Sequence, residues 1–230
     1  MKKIGLLGGM SWESSALYYR LLNEGIRDRL GGLHSAVCVM ASVDFAAIER
    51  MQVAGDWSGA GDLLAAEALG LVAAGAECVV LCTNTMHRVA EQIQSAVEVP
   101  VLHLVDVTAN AIRAQRLEKV GVLGTRFTME EAFYRDRMRT NGVETSVPDA
   151  DDRRLINEVI YHELVIGVVR DESRAEFRRI IQALADAGAQ GVVLGCTEIE
   201  LLVHQSDSPI PLFASTALHA QAAVDFALAD

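Results

Sequence analysis

The sequence predicts an α/β protein built from two homologous domains, each with a parallel sheet. Three observations carry this. Short apolar runs alternate with longer helical patterns along the chain, the order that gives parallel strands joined by crossover helices. Several strands, such as VVLCT and VVLGC, are apolar throughout, as strands covered on both faces are. One stretch is also written twice: AGAECVVLCTNT at 74–85 and AGAQGVVLGCTE at 187–198, an offset of 113 residues with six identities in register.

In the first half, KIGLLGG (3–9) reads as a strand ending in glycines. Residues 11–32 read as a helix, with Ser11 as its cap and Gly31-Gly32 as its stop. A strand follows at 35–43, then a loop and short helix over 44–57, and a helix at 59–76 stopped by Gly75. The first copy of the repeat supplies a strand at 78–85, followed by a helix at 86–97 and a strand at 99–105. The pattern then restarts. A strand at 117–125 again ends in glycine, and a helix covers 128–141. A weak strand at 142–148 precedes helices at 151–166 and 172–187. The second copy gives a strand at 190–198, a helix beginning at Ile199, a last strand at 209–214 and a closing helix at 215–228. Gly8 and Thr83 lie 75 residues apart, and Gly124 and Cys196 lie 72 apart. Two landmarks in the same order at nearly the same spacing favour duplication over chance recurrence. The expected domains are 1–113 with 214–230, and 114–213.

Composition narrows the partners. A net charge of −11 argues against nucleic acid and anionic membrane as partners. No apolar run approaches the ~18 residues that span a bilayer. The opening MKKIGLLGGMSWESS has too short an apolar part for a secretory leader and reads as a first strand, so a cytoplasmic location is expected. Cys38, Cys78, Cys82 and Cys196 are then expected as free thiols.

Ligands of such sheets sit at the carboxyl ends of the strands. The repeat places Thr83 and Cys196 there, in equivalent positions. Cys196 sits where the strand gives way to a helix beginning Glu198-Ile199-Glu200, and a helix N-terminus is expected to lower its pKa. Thr83-Asn84-Thr85 is polar after four apolar residues, and can cap a helix or receive a substrate carboxylate. Cys82 points away from Thr83 by strand alternation, so Cys82 and Cys78 are expected to pack in the core. A zinc site from Cys78, Cys82 and His87 lacks the usual ligand spacing, and no metal is expected. The turns Gly8-Gly9-Met10-Ser11 and Gly124-Thr125-Arg126, the latter with Thr128, offer backbone amides but no G-x-G-x-x-G pattern. His87, His103, His162, His204 and His219 read as structural.

GLLGGMSWES, LCTNTMH, VGVLGTRFTM and GCTEIELL together resemble the aspartate/glutamate racemase family, and the similarity covers essentially the whole chain. The resemblance implies two Rossmann-like domains related by pseudo-twofold symmetry, with a cofactor-free active site in the cleft between them and a homodimer as the assembly. The family's usual pattern has one cysteine per domain on opposite faces of the substrate's Cα. Cys196 matches the second, while Thr83 stands where the first would be. This resembles a Thr/Cys subgroup acting on L-aspartate and L-glutamate or on a broader range of amino acids. Thr83 and Cys196 are therefore the expected catalytic pair. Met10, Gln52, Asn84, Thr85, Thr125, Thr128 and Thr197 are the expected substrate-binding residues. Many aspartate-acting relatives carry a lysine in an E-L-x-x-G segment, which here is Glu163-Leu164-Val165-Ile166-Gly167. Arg50, Arg88 or Arg126 is then the alternative partner for a side-chain carboxylate.

The mechanism this implies needs no cofactor. Pyridoxal chemistry requires a pocket lysine, and Lys2, Lys3 and Lys119 all precede strands, at the end away from the expected site. A thiolate can take the Cα proton, whereas a threonine hydroxyl is too weak an acid to act as the resting base and can only return one. The expected asymmetry is abstraction by Cys196 and reprotonation by Thr83, running mainly from L to D. Two alternatives remain open: a decarboxylase of the same superfamily using the single cysteine, and an amino-acid-binding protein without catalysis.

Overall fold

The computed structural model describes residues 1–229. They form two compact units, Met1–Leu104 with the chain from His219 onward, and Val105–Leu218.

The first unit is built on β1 (Ile4–Gly8), β2 (Cys38–Ser42), β3 (Cys78–Leu81) and β4 (Val101–Leu102). All are parallel, in the order β2-β1-β3-β4. Their alternating side chains feed two cores. Leu7, Val79 and Leu81 pack beneath Leu64, Ala68 and Leu71 of α3 (Trp57–Ala73) and Ile93 of α4 (Ala90–Ala96). Ile4, Leu6, Cys78, Val80 and Cys82 point the other way. They meet Tyr18, Leu22 and Ile26 of α1 (Trp12–Leu30) and Ala223, Val224 and Ala227 of α11 (Ser215–Leu228). The two strand cysteines are thus core residues, and burial pushes the Cys78 thiol up to about 12 and the Cys82 thiol up as well. Ser11 caps α1 as expected, its hydroxyl accepting from the Ser14 N–H at 3.2 Å, and Gly31 follows its last residue. A separate helix α2 (Phe45–Ala54) occupies the predicted loop and short helix.

The second unit repeats the plan with β5 (Lys119–Gly124), β6 (Glu144–Ser146), β7 (Val192–Gly195) and β8 (Leu212–Ala214), parallel in the order β6-β5-β7-β8. Its core joins Leu123, Val192 and Leu194 to Ile156, Val159 and Ile160 of α8 (Ala150–His162). Phe177, Ile180, Ile181 and Leu184 of α9 (Asp171–Asp186) complete it at helical i, i+3, i+4, i+7 spacing. Burial of each such large side chain contributes roughly 1.5–3 kcal/mol.

Matching details mark the two units as copies. Gly75 and Gly188, at φ 89° and 92°, take the left-handed conformation after α3 and α9. Lys3 Nζ donates to the Ala74 carbonyl at 2.9 Å and Lys119 Nζ to the Ala187 carbonyl at 3.3 Å, so both lysines cap helix ends beside the amino ends of their sheets.

Several elements differ from expectation. The helix predicted over 128–141 is broken into α6 (Arg126–Glu130) and α7 (Ala132–Thr140) by an extended Glu131. Residues 86–97 open as a tight three-residue-per-turn helix (Thr85–Val89) before α4. The helix expected to reach 166 ends at His162, and a short turn over Leu164–Ile166 closes on Gly167 at φ 75°. A helix α5 (Leu104–Ala114) takes over the last two residues of the strand expected at 99–105 and runs on where no element was expected, burying Leu104, Val105, Thr108, Ala109 and Ile112 at helical spacing. The passages from unit to unit, at 104/105 and 218/219, both fall within helices.

Candidate active site

In each sheet the strand order reverses at the central pair, β1/β3 in the first unit and β5/β7 in the second. Ligands of open α/β sheets bind beyond the carboxyl ends at such a reversal. Leu7 pairs with Leu81 and Leu123 with Leu194, in the same register. Thr83 and Cys196 each lie two residues beyond the second member of those pairs. Each unit therefore carries one of the two residues at the same place in its own sheet.

In the first unit the strand ends are laced by α1 and by a histidine. Gly8 leaves room for Ser15, since a Cβ there would lie 2.5 Å from the Ser15 hydroxyl oxygen. That hydroxyl accepts from the Gly9 N–H at 2.8 Å and donates to the Ser11 carbonyl at 2.9 Å. Gly9 itself requires glycine twice over: its φ is +95°, and a Cβ would sit 2.2 Å from the Val43 carbonyl oxygen. Ser14 Oγ donates to the Cys82 carbonyl at 3.1 Å. The next carbonyl, of Thr83, accepts from His87 Nδ1 at 2.7 Å, and His87 Nε2 accepts from the Leu104 N–H at 3.1 Å. Because one nitrogen must donate and the other accept, the ring is a neutral Nδ1–H tautomer. The backbone before and after Thr83 is thus held by side chains, while the Thr83 side chain is half-buried. Asn84 is buried and Thr85 half-buried at the start of the tight helix. Met10 and Gln52 are both buried against one core: Met10 packs in the α3 cluster, and Gln52 Nε2 lies 3.0 Å from Met86 Sδ of that cluster. His219, read as structural, bridges Tyr18 and the Leu102 carbonyl at 2.8 and 2.6 Å.

In the second unit, Gly124 and Gly195 make space for Thr128. A Cβ on either glycine would come within 3.0 to 3.1 Å of the Thr128 side chain. Thr128 is buried and its hydroxyl is 3.5 Å from that of half-buried Thr125. Cys196 is partly exposed and packs against the α8/α9 core. Its Sγ–H donates to Glu198 Oε2 at 2.9 Å, and the Thr197 hydroxyl donates to the same oxygen at 2.5 Å.

This environment reverses the expectation for the thiol. The helix after it, α10 (Ile199–Leu202), has only four residues and supplies little dipole. Burial raises the Cys196 pKa well above its ordinary value, and the Glu198 carboxylate raises it further by charge and by accepting the S–H. The Glu198 backbone N–H, directed at the sulfur, acts in the opposite sense. Glu200 is also displaced: burial, with the nearby Glu198 charge, pushes its carboxyl from 4.5 up to about 7, against the Thr216 N–H that it accepts.

Glu198 is the neighbour of the Cys196 sulfur that sequence reading left without a role. It lies two residues from Cys196, where the sequence reads only as the start of a helix; the turn after Gly195 sets its carboxylate 2.9 Å from the sulfur. Arg50, Arg88 and Arg126 are all exposed. The Arg88 guanidinium lies 4.1 Å from the centre of the Trp57 ring and that of Arg126 5.5 Å from the Phe127 ring.

Two four-stranded parallel α/β units, each with a polar or thiol residue at its strand-order reversal, define the class to which this chain belongs. The chain belongs to the Asp/Glu/hydantoin racemase family, whose profile matches residues 7–223, and it is accordingly an isomerase of the racemase type. The structure of an Asp/Glu racemase candidate from Yersinia pestis is 50% identical, with a TM-score of 0.95 and full coverage of both chains. An aspartate racemase homologue from Pyrococcus horikoshii is 32% identical, with a TM-score of 0.89 over 99% of each chain. The broad-specificity amino-acid racemase RacX of Bacillus subtilis is 27% identical over 165 residues, 70% of each chain. A glutamate racemase structure from Francisella tularensis, 14% identical with a TM-score of 0.63 over 98% of this chain and 80% of that one, shares the fold.

Proposed function

We propose that this chain racemises aspartate, glutamate or a broader set of amino acids without a cofactor, mainly from L to D. Cys196, as a thiolate, removes the Cα proton, and Thr83 returns a proton to the opposite face. The observation that carries this reading is the equivalent register of Thr83 and Cys196 in two sheets of the same topology. A thiol and an alcohol at matching places are what a two-base exchange with unequal bases requires. Backbone amides at Asn84, Thr85 and Thr197 would receive the α-carboxylate and favour the enediolate form of the carbanion. Met10, Gln52, Thr125 and Thr128 would line the remainder of the substrate site. Thr128 fits that role by its position against both strand-end glycines.

The names of the relatives support an amino-acid substrate, and the free state of Cys38, Cys78, Cys82 and Cys196 supports a reducing, cytoplasmic setting. No helix among the described residues is long and apolar enough to cross a membrane. A homodimer is the assembly proposed with this reading.

Proton NMR of a panel of L-amino acids in D2O, with no cofactor added, tests the function. Loss of the Cα–H signal together with appearance of the D-isomer supports it; binding without exchange refutes it. Thr83 in place of a second thiol favours one competitor, a decarboxylase with a single reactive cysteine, and release of CO2 rather than inversion would establish that instead.

A further inference from the structure

Deepening the proposed racemase reading, and resting on it for the Cα step, we infer that Glu198 is the proton acceptor for Cys196. It is a positioning and proton-holding residue that acts through the thiol. The contact is direct: Cys196 Sγ donates to Glu198 Oε2 at 2.9 Å. The same oxygen accepts from the Thr197 hydroxyl at 2.5 Å, which fixes the carboxylate on the side facing the sulfur. The Glu198 backbone N–H is directed at Sγ, where it can receive the negative charge when it forms.

Charge counting shows why the proton goes to Glu198. Loss of the thiol proton to solvent would leave two anions in hydrogen-bond contact at a partly buried place, with Glu200 nearby as a third acid. Transfer to Glu198 leaves the charge of the pair unchanged and moves it from oxygen to sulfur. Glu198 and Glu200 are the charged groups that act on this thiol, both from the segment that follows it.

The step balances as follows. The S–H bond breaks and an O–H bond forms on Glu198 Oε2, the sulfur keeping the electron pair. The thiolate then takes the Cα proton of the L-amino acid, becoming S–H again. The Thr83 hydroxyl gives its proton to the opposite face of the carbanion. Glu198 gives its proton to solvent and the Thr83 oxygen takes one from solvent, so thiol, carboxylate and hydroxyl end as they began.

The test uses Glu198→Gln, with Glu198→Asp as the variant that keeps a carboxylate. Alkylation of Cys196 by iodoacetamide is followed against pH, read on the peptide that carries it. Racemisation is measured on the same proteins. Glu198→Gln removes the adjacent negative charge, so Cys196 should alkylate about tenfold faster at pH 7. Its kcat should fall at least about 100-fold with KM within about threefold, because the thiol has lost its proton acceptor. Glu198→Asp should keep the wild-type alkylation profile and recover part of kcat. A thiolate that is more abundant yet less useful is the signature of a lost proton acceptor, and a purely structural role does not give it. An alkylation profile unchanged in Glu198→Gln overturns the inference. So does faster alkylation with kcat unchanged or raised. If Glu198→Gln does not fold, Glu198→Asp decides: a lowered alkylation pKa with unchanged kcat overturns the inference. If the wild-type protein exchanges no amino-acid Cα proton, the racemase reading fails by itself, and the alkylation arm still decides whether Glu198 holds the thiol proton.

Discussion

Replacing Glu200 with Gln should stabilise this protein at alkaline pH and leave it nearly unchanged at acid pH. Glu200 lies in α10, four residues after Cys196, and one of its oxygens accepts from the Thr216 N–H in the first turn of α11. The other, Oε1, is buried without a hydrogen-bond partner. An ionised carboxylate in that position lacks part of the solvation it has in the unfolded chain, and the Glu198 charge adds to the cost. The folded pKa of about 7 stands above the ordinary 4.5. A raised carboxyl pKa means that stability is greatest below pH 4.5 and is lost as pH rises through 7. The full loss is about 3 kcal/mol, at roughly 1.4 kcal/mol per pH unit of displacement. Glutamine keeps an oxygen for the Thr216 N–H and never ionises. At pH 8 the variant should therefore exceed the wild type by about 3 kcal/mol, roughly 6–12 °C in Tm for a chain of this size. At pH 5 the two should lie within about 1 kcal/mol of each other. Thermal unfolding followed by circular dichroism at both pH values measures this. A variant less stable at pH 8, or a difference independent of pH, would refute the reasoning.

Two further outcomes follow from the same geometry. His219 is buried and held neutral, with Nε2–H on the Leu102 carbonyl and Nδ1 accepting from Tyr18, and burial, then the neighbouring His87, lowers its pKa from 6.5 to about 3. A depressed base gives stability that is present above pH 6.5 and lost on acidification, about 2 kcal/mol by pH 5; urea midpoints across that range should fall in the wild type and stay flat in His219→Gln, and parallel slopes would contradict the assignment. Thr83→Cys should raise the D-to-L rate, measured by circular dichroism of the amino acid, because a thiol can store the proton vacancy that an alcohol cannot; an unchanged rate would count against Thr83.

Much of the architecture was legible because buried parallel strands are written plainly. The two VVL copies became β3 and β7, and the glycine-ended runs became β1 and β5. The 113-residue repeat by itself marks Thr83 and Cys196 as a pair. α5 was not seen, because its first residues, Leu104 and Val105, complete an apolar run that reads as strand. The break at Glu131 leaves no trace in the pattern, since no glycine or proline marks it. Residues 86–97 begin as a tight turn around His87, whose ring is tied to the Thr83 carbonyl and the Leu104 N–H. Those partners lie 4 residues before it and 17 after it, and periodicity carries no information about them. The expected lowering of the Cys196 pKa fails for an electrostatic reason: the sequence implies a helix dipole, while the fold supplies a four-residue helix and a carboxylate at 2.9 Å.

The division of labour between Cys196 and Thr83 is tested most directly by measuring exchange and inversion separately in Thr83→Ala. With L-substrate in D2O, the account predicts that this variant still washes deuterium into the Cα position of recovered L-amino acid while formation of the D-isomer collapses. Undiminished inversion in Thr83→Ala would contradict it.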